Sequence, residues 1–235
     1  MLKGISYFAQ GARMTMRKDV RPFVFLPALV SLSVIVGGLT LGFSYISDLS
    51  DYLTASLPDW LSFLQWILAP LLYLLGVLVG AWSFGFLAAI IGSPFLGDLA
   101  LKIDNLPDPQ VAWYKQIGPA LGRELRKLRY HLPRLLLLLL LSIIPVINAL
   151  APLLWVAFGA WLMAVQFCDY TTENRQQPFE ETLATLQGYK AEALGFGACV
   201  TLAMAVPLAN FLVAPIAVVG GTLLMKSIRE NVANV

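Results

Sequence analysis

The 235 residues carry a formal net charge of +2, with 58% hydrophobic and only 13% charged residues, and the mean hydropathy is +0.74. A soluble domain has about 25% charged residues, so this chain holds more apolar surface than one water-soluble core can hide. That balance excludes an ordinary soluble globule and predicts an all-α integral membrane protein, with residues 1–235 forming one membrane domain.

Residues 1–21 hold five Lys/Arg and one acid, and they lack the compact apolar core of a secretory signal. At 100° per residue Ile5, Phe8, Ala9, Ala12 and Met16 share a face, with Lys3, Tyr7, Gln10, Arg17 and Lys18 opposite, which predicts an amphipathic interfacial helix. Asp19-Val20-Arg21-Pro22 then breaks it, and Pro22 suits the first turn of a new helix. Such a helix start offers free N–H groups and a positive dipole end to an anion, so Val20, Arg21, Pro22 and Phe23 are candidate anion contacts.

Four long stretches contain no Asp, Glu, Lys, Arg or His: 22–47, 60–97, 135–168 and 193–225. A spanning helix needs about 20 residues. The first stretch fits span 1. The second, starting near Pro58-Asp59-Trp60, gives span 2 with an extension, ending at the latest at the Gly92-Ser93-Pro94 break. Gly38/Gly42, Gly76/Gly80 and the Ala81, Gly85, Ala89 series have the spacing of close helix contacts.

The segment 98–134 is basic, with seven Lys/Arg. Within it Leu121, Leu125, Leu128 and Leu132 form a stripe, while Arg123, Arg126, Lys127, Tyr130 and Arg134 gather opposite, and Pro133 marks the expected helix end. This predicts a helix lying leucines-down in the membrane interface. Its cations, Arg126 and Arg134 among them, would also concentrate anions at a vestibule.

The third and fourth stretches are each punctuated at mid-length by Pro-x-x-Asn and a later Ala-Pro: Pro145, Asn148 and Pro152 in one, Pro207, Asn210 and Pro215 in the other. Proline removes a backbone donor and disfavours helix in the residue before it. The first arms, of about 10 and 14 residues, give only about 15 and 21 Å of helix. Two topologies are open: half-depth helical hairpins at 135–168 and 193–225, or single kinked spans. Hairpins fit the paired breaks better, and non-helical backbone at that depth must line a watery cavity or be covered by protein. Asn148 and Asn210 could then donate hydrogen bonds to a solute passing between the two broken segments. A 169–192 loop and a 226–235 tail complete the chain.

Lys/Arg bias places residues 1–21 and 98–134 in the cytoplasm, and the loop 48–59, with three acids and no Lys/Arg, outside. The 169–192 loop has two Lys/Arg and five acids; hairpins would keep it cytoplasmic and kinked spans would put it outside. Cys168 and Cys199 read as small buried hydrophobes, and no metal or other cofactor is expected. His131 is the sole histidine, and HExxH, GxSxG and P-loop signatures are missing, so enzyme chemistry is not expected. The basic helix abuts a membrane stretch, so nucleic acid is not an expected partner. The residues taken alone leave two classes open, an anion permease or a non-transporting membrane scaffold.

Several segments carry a resemblance: Tyr7-Phe8-Ala9-Gln10-Gly11, the run Phe23–Pro27, Leu57–Leu61, Ser93–Gly97, Tyr130–Arg134, Ala160–Tyr170 (AWLMAVQFCDY) and Pro207–Gly221 (PLANFLVAPIAVVGG). The chain resembles the CysZ sulfate permease family along nearly its full length. The resemblance implies sulfate uptake across the bacterial inner membrane for sulfur assimilation and cysteine biosynthesis. It also implies two long transmembrane helices plus two partially inserted hairpins, in a homo-oligomer with antiparallel pairing, whereas the charge bias favours one orientation. The family pattern has two consecutive arginines before the Phe-Val-x-Leu-Pro run, and here Arg21 is followed by Pro22. A glutamate usual after the Ser-Pro-Phe segment is replaced by Leu101.

Overall fold

The computed structural model describes residues 1–55, 63–107, 113–206 and 210–233. Pro58, Asp59, Trp60 and Pro207 lie outside them. The described residues form helices α1 (Leu2–Thr15), α2 (Arg21–Ala55), α3 (Gln65–Asp104), α4 (Trp113–Ile143), α5 (Pro145–Asn148), α6 (Ala151–Asn174), α7 (Phe179–Gly188), α8 (Lys190–Met204) and α9 (Asn210–Ala233), with no strand among them. They gather into two compact units, residues 25–95 and residues 1–24 with 96–235.

In the unit of residues 25–95, α2 and α3 outrun their sequence boundaries. α2 has 35 residues and absorbs the acidic segment 48–55 that reads as loop. α3 has 40 residues and passes through Gly92-Ser93-Pro94 to end at Asp104. At about 1.5 Å per residue these are about 52 and 60 Å long, well beyond the ~30 Å hydrocarbon core. The Phe43 and Tyr73 rings lie 6.1 Å apart, and a Cβ on Gly76 would overlap Ile46 Cδ1. Gly38 and Gly42 meet no neighbour within 4 Å among the described residues, so the close approach expected there is not made.

The other unit is a bundle zipped by glycines. A Cβ on Gly4 would overlap the Glu192 carbonyl, on Gly11 the Ile216 carbonyl, on Gly195 the Met1 carbonyl and on Gly197 the Ala160 carbonyl. Gly220 sits on Tyr7 and Gly221 on Phe167 in the same way. Absent side chains let backbones touch, which ties α1 to α8 and α9, and α6 to α8 and α9. The sealed core includes Leu99, Phe179, Leu186, Phe196, Val218 and Leu224. The buried side of α1 is therefore Gly4, Gly11 and Thr15 with Tyr7 and Phe8 partly covered, while Leu2, Ile5 and Met16 stay exposed.

α4 runs through Pro119 and Pro133 to Ile143, past the end expected at Pro133. A proline removes one backbone donor, and the leucine run beyond it keeps the remaining i→i−4 bonds worth making; the Arg134 guanidinium donates to the Tyr130 carbonyl beside the kink. The true break is at Ile144, which precedes Pro145 and is extended (φ −76°, ψ 119°). Beyond it α6 folds back along α4. Trp155 Nε1 donates to Ser142 Oγ (3.2 Å), Trp161 Nε1 to the Tyr130 hydroxyl (3.1 Å), and Arg123 meets Asp169. A single kinked span would carry residues 123 and 169 apart; here they touch. α8 and α9 also pack together, with the Phe196 ring against Gly220. By length and apolarity, α6 and the Leu212–Ala233 part of α9 could each cross a bilayer.

Two helices end on left-handed residues. Asn105 (φ 56°) caps α3 while Leu106 N–H donates to the Leu101 carbonyl (3.0 Å). Gln176 (φ 57°) follows α6 while Gln177 N–H donates to the Thr172 carbonyl (3.0 Å). These six-to-one bonds satisfy carbonyls that the last helical turn leaves free.

Candidate functional site

The predicted anion contacts sit on a short turn between α1 and α2. Arg17 N–H to Met14 O, Val20 N–H to Arg17 O and Arg21 N–H to Arg17 O define it, at 3.0, 3.1 and 3.0 Å. Val20 is buried and acts as its apolar foot. Arg21 is exposed, and its Nε donates to the Met16 carbonyl (2.8 Å), which orients the guanidinium and leaves its terminal N–H groups for a ligand. Arg17 pairs with Asp19 at 3.2 Å. Pro22 lies in the first turn of α2, and Phe23 packs partly on the core. A further cation, not singled out by the sequence, arrives from α3. Lys102 Nζ donates to the Asp19 carbonyl and lies 5.1 Å above the Phe23 ring centre. It is 83 residues away from Asp19 in sequence, so no local pattern could reveal it.

The basic face of α4 turns inward. Arg123 Nε and Nη2 fork onto Asp169 at 2.8 and 2.6 Å, and Arg123 Nη1 donates to the Gln177 carbonyl at 2.6 Å. Lys127 Nζ reaches the same carboxylate at 2.9 Å and Glu124 at 2.7 Å, and Thr182 Oγ1 donates to Asp169 Oδ1 at 2.7 Å. The Asp169 side chain is 0% exposed. Leu121, Leu125, Leu128 and Leu132 are all exposed. The leucine stripe is exposed, whereas the residues expected to form one basic face divide: Arg123 and Lys127 are neutralised inside the protein. Arg126 and Arg134 remain exposed, with Arg134 stacked 3.7 Å over the Tyr130 ring.

Burial alone would lower the Arg123 and Lys127 pKa values. Asp169 outweighs it for Arg123, and Asp169 with Glu124 does so for Lys127, so both are held above their ordinary values and stay cationic. His131 goes the other way: burial first, then Arg134 and Lys127, push it down to about 4, a neutral ring near neutral pH. Its Nδ1 is buried without a hydrogen-bond partner among the described residues.

A second charged hub fixes the end of α3. Asp104, 1% exposed, accepts Arg175 Nε at 2.8 Å and Arg229 Nη2 at 2.7 Å. Leu101, in place of the glutamate implied by the resemblance, is buried in the same turn. Asn148 closes α5 and is exposed at the tip of the α4–α6 pair, and Asn210 opens α9. The route expected between the two broken segments is closed within one protomer where Gly197 meets Ala160 backbone to backbone. Cys168 and Cys199 are unpaired, and no group of metal-binding side chains occurs among the described residues.

A family profile described as sulfate transporter CysZ/Etoposide-induced protein 2.4 matches residues 7–215. The chain belongs to this family. A sulfate transporter CysZ of Pseudomonas aeruginosa (strain LESB58) is 40% identical over 94% of each chain. That of Pseudomonas fluorescens (strain Pf0-1) is 38% identical over 95% of this chain and 92% of its own length. That of Vibrio parahaemolyticus is 34% identical over 93% of this chain and 92% of its own. The profile match spans the Arg21 turn, α4–α6, α8 and the start of α9.

Proposed function

We propose that the chain is a sulfate permease that carries sulfate across the bacterial inner membrane into the cytoplasm, with no catalytic activity of its own. The observation that carries this reading is the near end-to-end match to relatives named sulfate transporter CysZ, 40% identical over 94% of each chain in the nearest-matching pair quoted above. Sulfate docks at the Val20–Phe23 turn on the Arg21 guanidinium, since the Arg21 and Phe23 N–H groups are bonded to the Arg17 and Val20 carbonyls and Pro22 has none. Arg126 and Arg134, on the cytoplasmic side, draw the anion inward.

α2 and α3 are the long spans, and the α4–α6 and α8–α9 pairs enter the membrane only part-way. What supports this is the meeting of Arg123 with Asp169, which brings the chain back to the side it left, and an apolar α4 arm from Leu135 to Ile143 of about 14 Å. The tips, with Asn148 and the start of α9 at Asn210, line the route on the faces that α6 and α8 do not use against each other, completed by further copies in a homo-oligomer. Sulfur assimilation and cysteine synthesis are the consumers of the imported anion.

Expression in a bacterium stripped of its own sulfate uptake tests the reading. Growth on sulfate as sole sulfur source, lost on Arg21→Ala, is expected. Correctly inserted protein that supports no growth contradicts it, and a stoichiometric protein partner recovered instead would favour a scaffold.

A further inference from the structure

The last turn of α3 is held by every residue except one. Leu99, Ala100, Leu101 and Ile103 are buried, Asp104 is locked between Arg175 and Arg229, and Asn174 Nδ2 donates to the Gly97 carbonyl (2.8 Å). Lys102 is exposed, and it alone among residues 99–104 reaches out to another segment across the surface, the Asp19 carbonyl and the Phe23 ring face. Its anchorage does not depend on that reach, because the buried neighbours and the Asp104 hub dock the turn without it.

The segment it touches needs an external tie. Apart from the buried Val20 side chain, residues 16–21 are held by short-range bonds, each spanning five residues or fewer, such as Arg21 Nε to the Met16 carbonyl. Polar turns of that kind have several conformations of similar energy, and ordering one costs about 1–2 kcal/mol per residue. A charge-assisted bond from a fixed helix selects one of them, and the ammonium on the Phe23 face adds a cation–π contact that fixes the first α2 turn as well.

We propose that Lys102 is a positioning residue for sulfate: it pins the Asp19 carbonyl and Phe23 so that the turn presents the Arg21 guanidinium to the anion in one fixed geometry. The inference rests on the reading of Arg21 as a sulfate contact. It goes further, by assigning a function to a lysine from the far end of α3.

The test is uptake of labelled sulfate against concentration by liposomes containing the purified full chain, as wild type, Arg21→Ala, Lys102→Met and Lys102→Arg, with thermal unfolding of each in detergent. Lys102→Met should raise the half-saturating sulfate concentration about tenfold, the scale of one lost hydrogen bond to a charged group. The rise should exceed any loss in maximal flux. Lys102→Arg should recover most of the affinity, since a guanidinium can donate to the same carbonyl and stack on the same ring. Unfolding temperature should move by less than about 3 °C, as for a surface substitution. Wild-type half-saturation in Lys102→Met alongside weakened Arg21→Ala overturns the role of Lys102, as does an Arg variant no better than Met. Wild-type half-saturation in Arg21→Ala overturns the site itself, and this inference with it.

Discussion

Asp169 holds two cations at once, and its worth is set by what would be left without it. Replacing it by asparagine removes the charge that Arg123 and Lys127 share while leaving both buried. Breaking a buried pair in this way costs about 3–5 kcal/mol, so Asp169→Asn should lower the unfolding temperature in detergent sharply, and the loss should exceed that of Arg126→Gln, an exposed residue of the same helix. His131 gives a pH-dependent prediction. Its folded value of about 4 lies below the ordinary 6.5, so the folded state favours the neutral ring. The associated stability is complete above the ordinary value and drains away as pH falls toward the folded one. Wild type should therefore lose more unfolding temperature between about pH 7 and pH 4.5 than His131→Phe; equal losses would show that the ring is already free to protonate. The basic stripe containing Arg123 and Lys127 was legible from residue spacing. Its partner was not, because Asp169 is 46 positions away from Arg123 and reads as the flank of an apolar stretch.

At the scale of elements, the breaks could be read because proline acts locally. Pro145 forces Ile144 out of the helix whatever lies around it. Pro133 does not stop α4, since a proline with helix-forming neighbours on both sides costs one backbone bond and can be kinked past. Glycine spacing is a weaker guide. Among the described residues Gly38 and Gly42 have the expected interval but no neighbour within 4 Å, whereas Gly4, Gly11, Gly195 and Gly197, scattered over three helix pairs, carry the closest contacts. Close approach is a property of two surfaces, and a single strand of sequence displays only one of them. Gly197→Ala should accordingly force α6 and α8 apart and destabilise by about 1–3 kcal/mol. Gly38→Ala should be neutral or stabilising by up to about 1 kcal/mol through helix propensity. Unfolding midpoints of the two variants check the contrast, and the reverse order would contradict the packing described.

Over the whole molecule the polarity of α4 is the telling feature. Leu121, Leu125, Leu128 and Leu132 face outward while Arg123 and Lys127 are buried, which suits a solvent of lipid along that leucine stripe, since acyl chains are as apolar as leucine. The composition pointed to that solvent, the fold-back of α6 on α4 distinguishes paired arms from a kinked span, and the family relationship names the solute. The turn from Met16 to Phe23, with Arg21 oriented on Met16 and Lys102 bound to Asp19, is the sulfate site proposed above. The decisive measurement is flux of labelled sulfate into liposomes reconstituted with this protein alone. The account predicts saturable uptake well above that of protein-free liposomes, reduced by Arg21→Ala; uptake no greater than in protein-free liposomes, from protein shown to be folded and inserted, would contradict it.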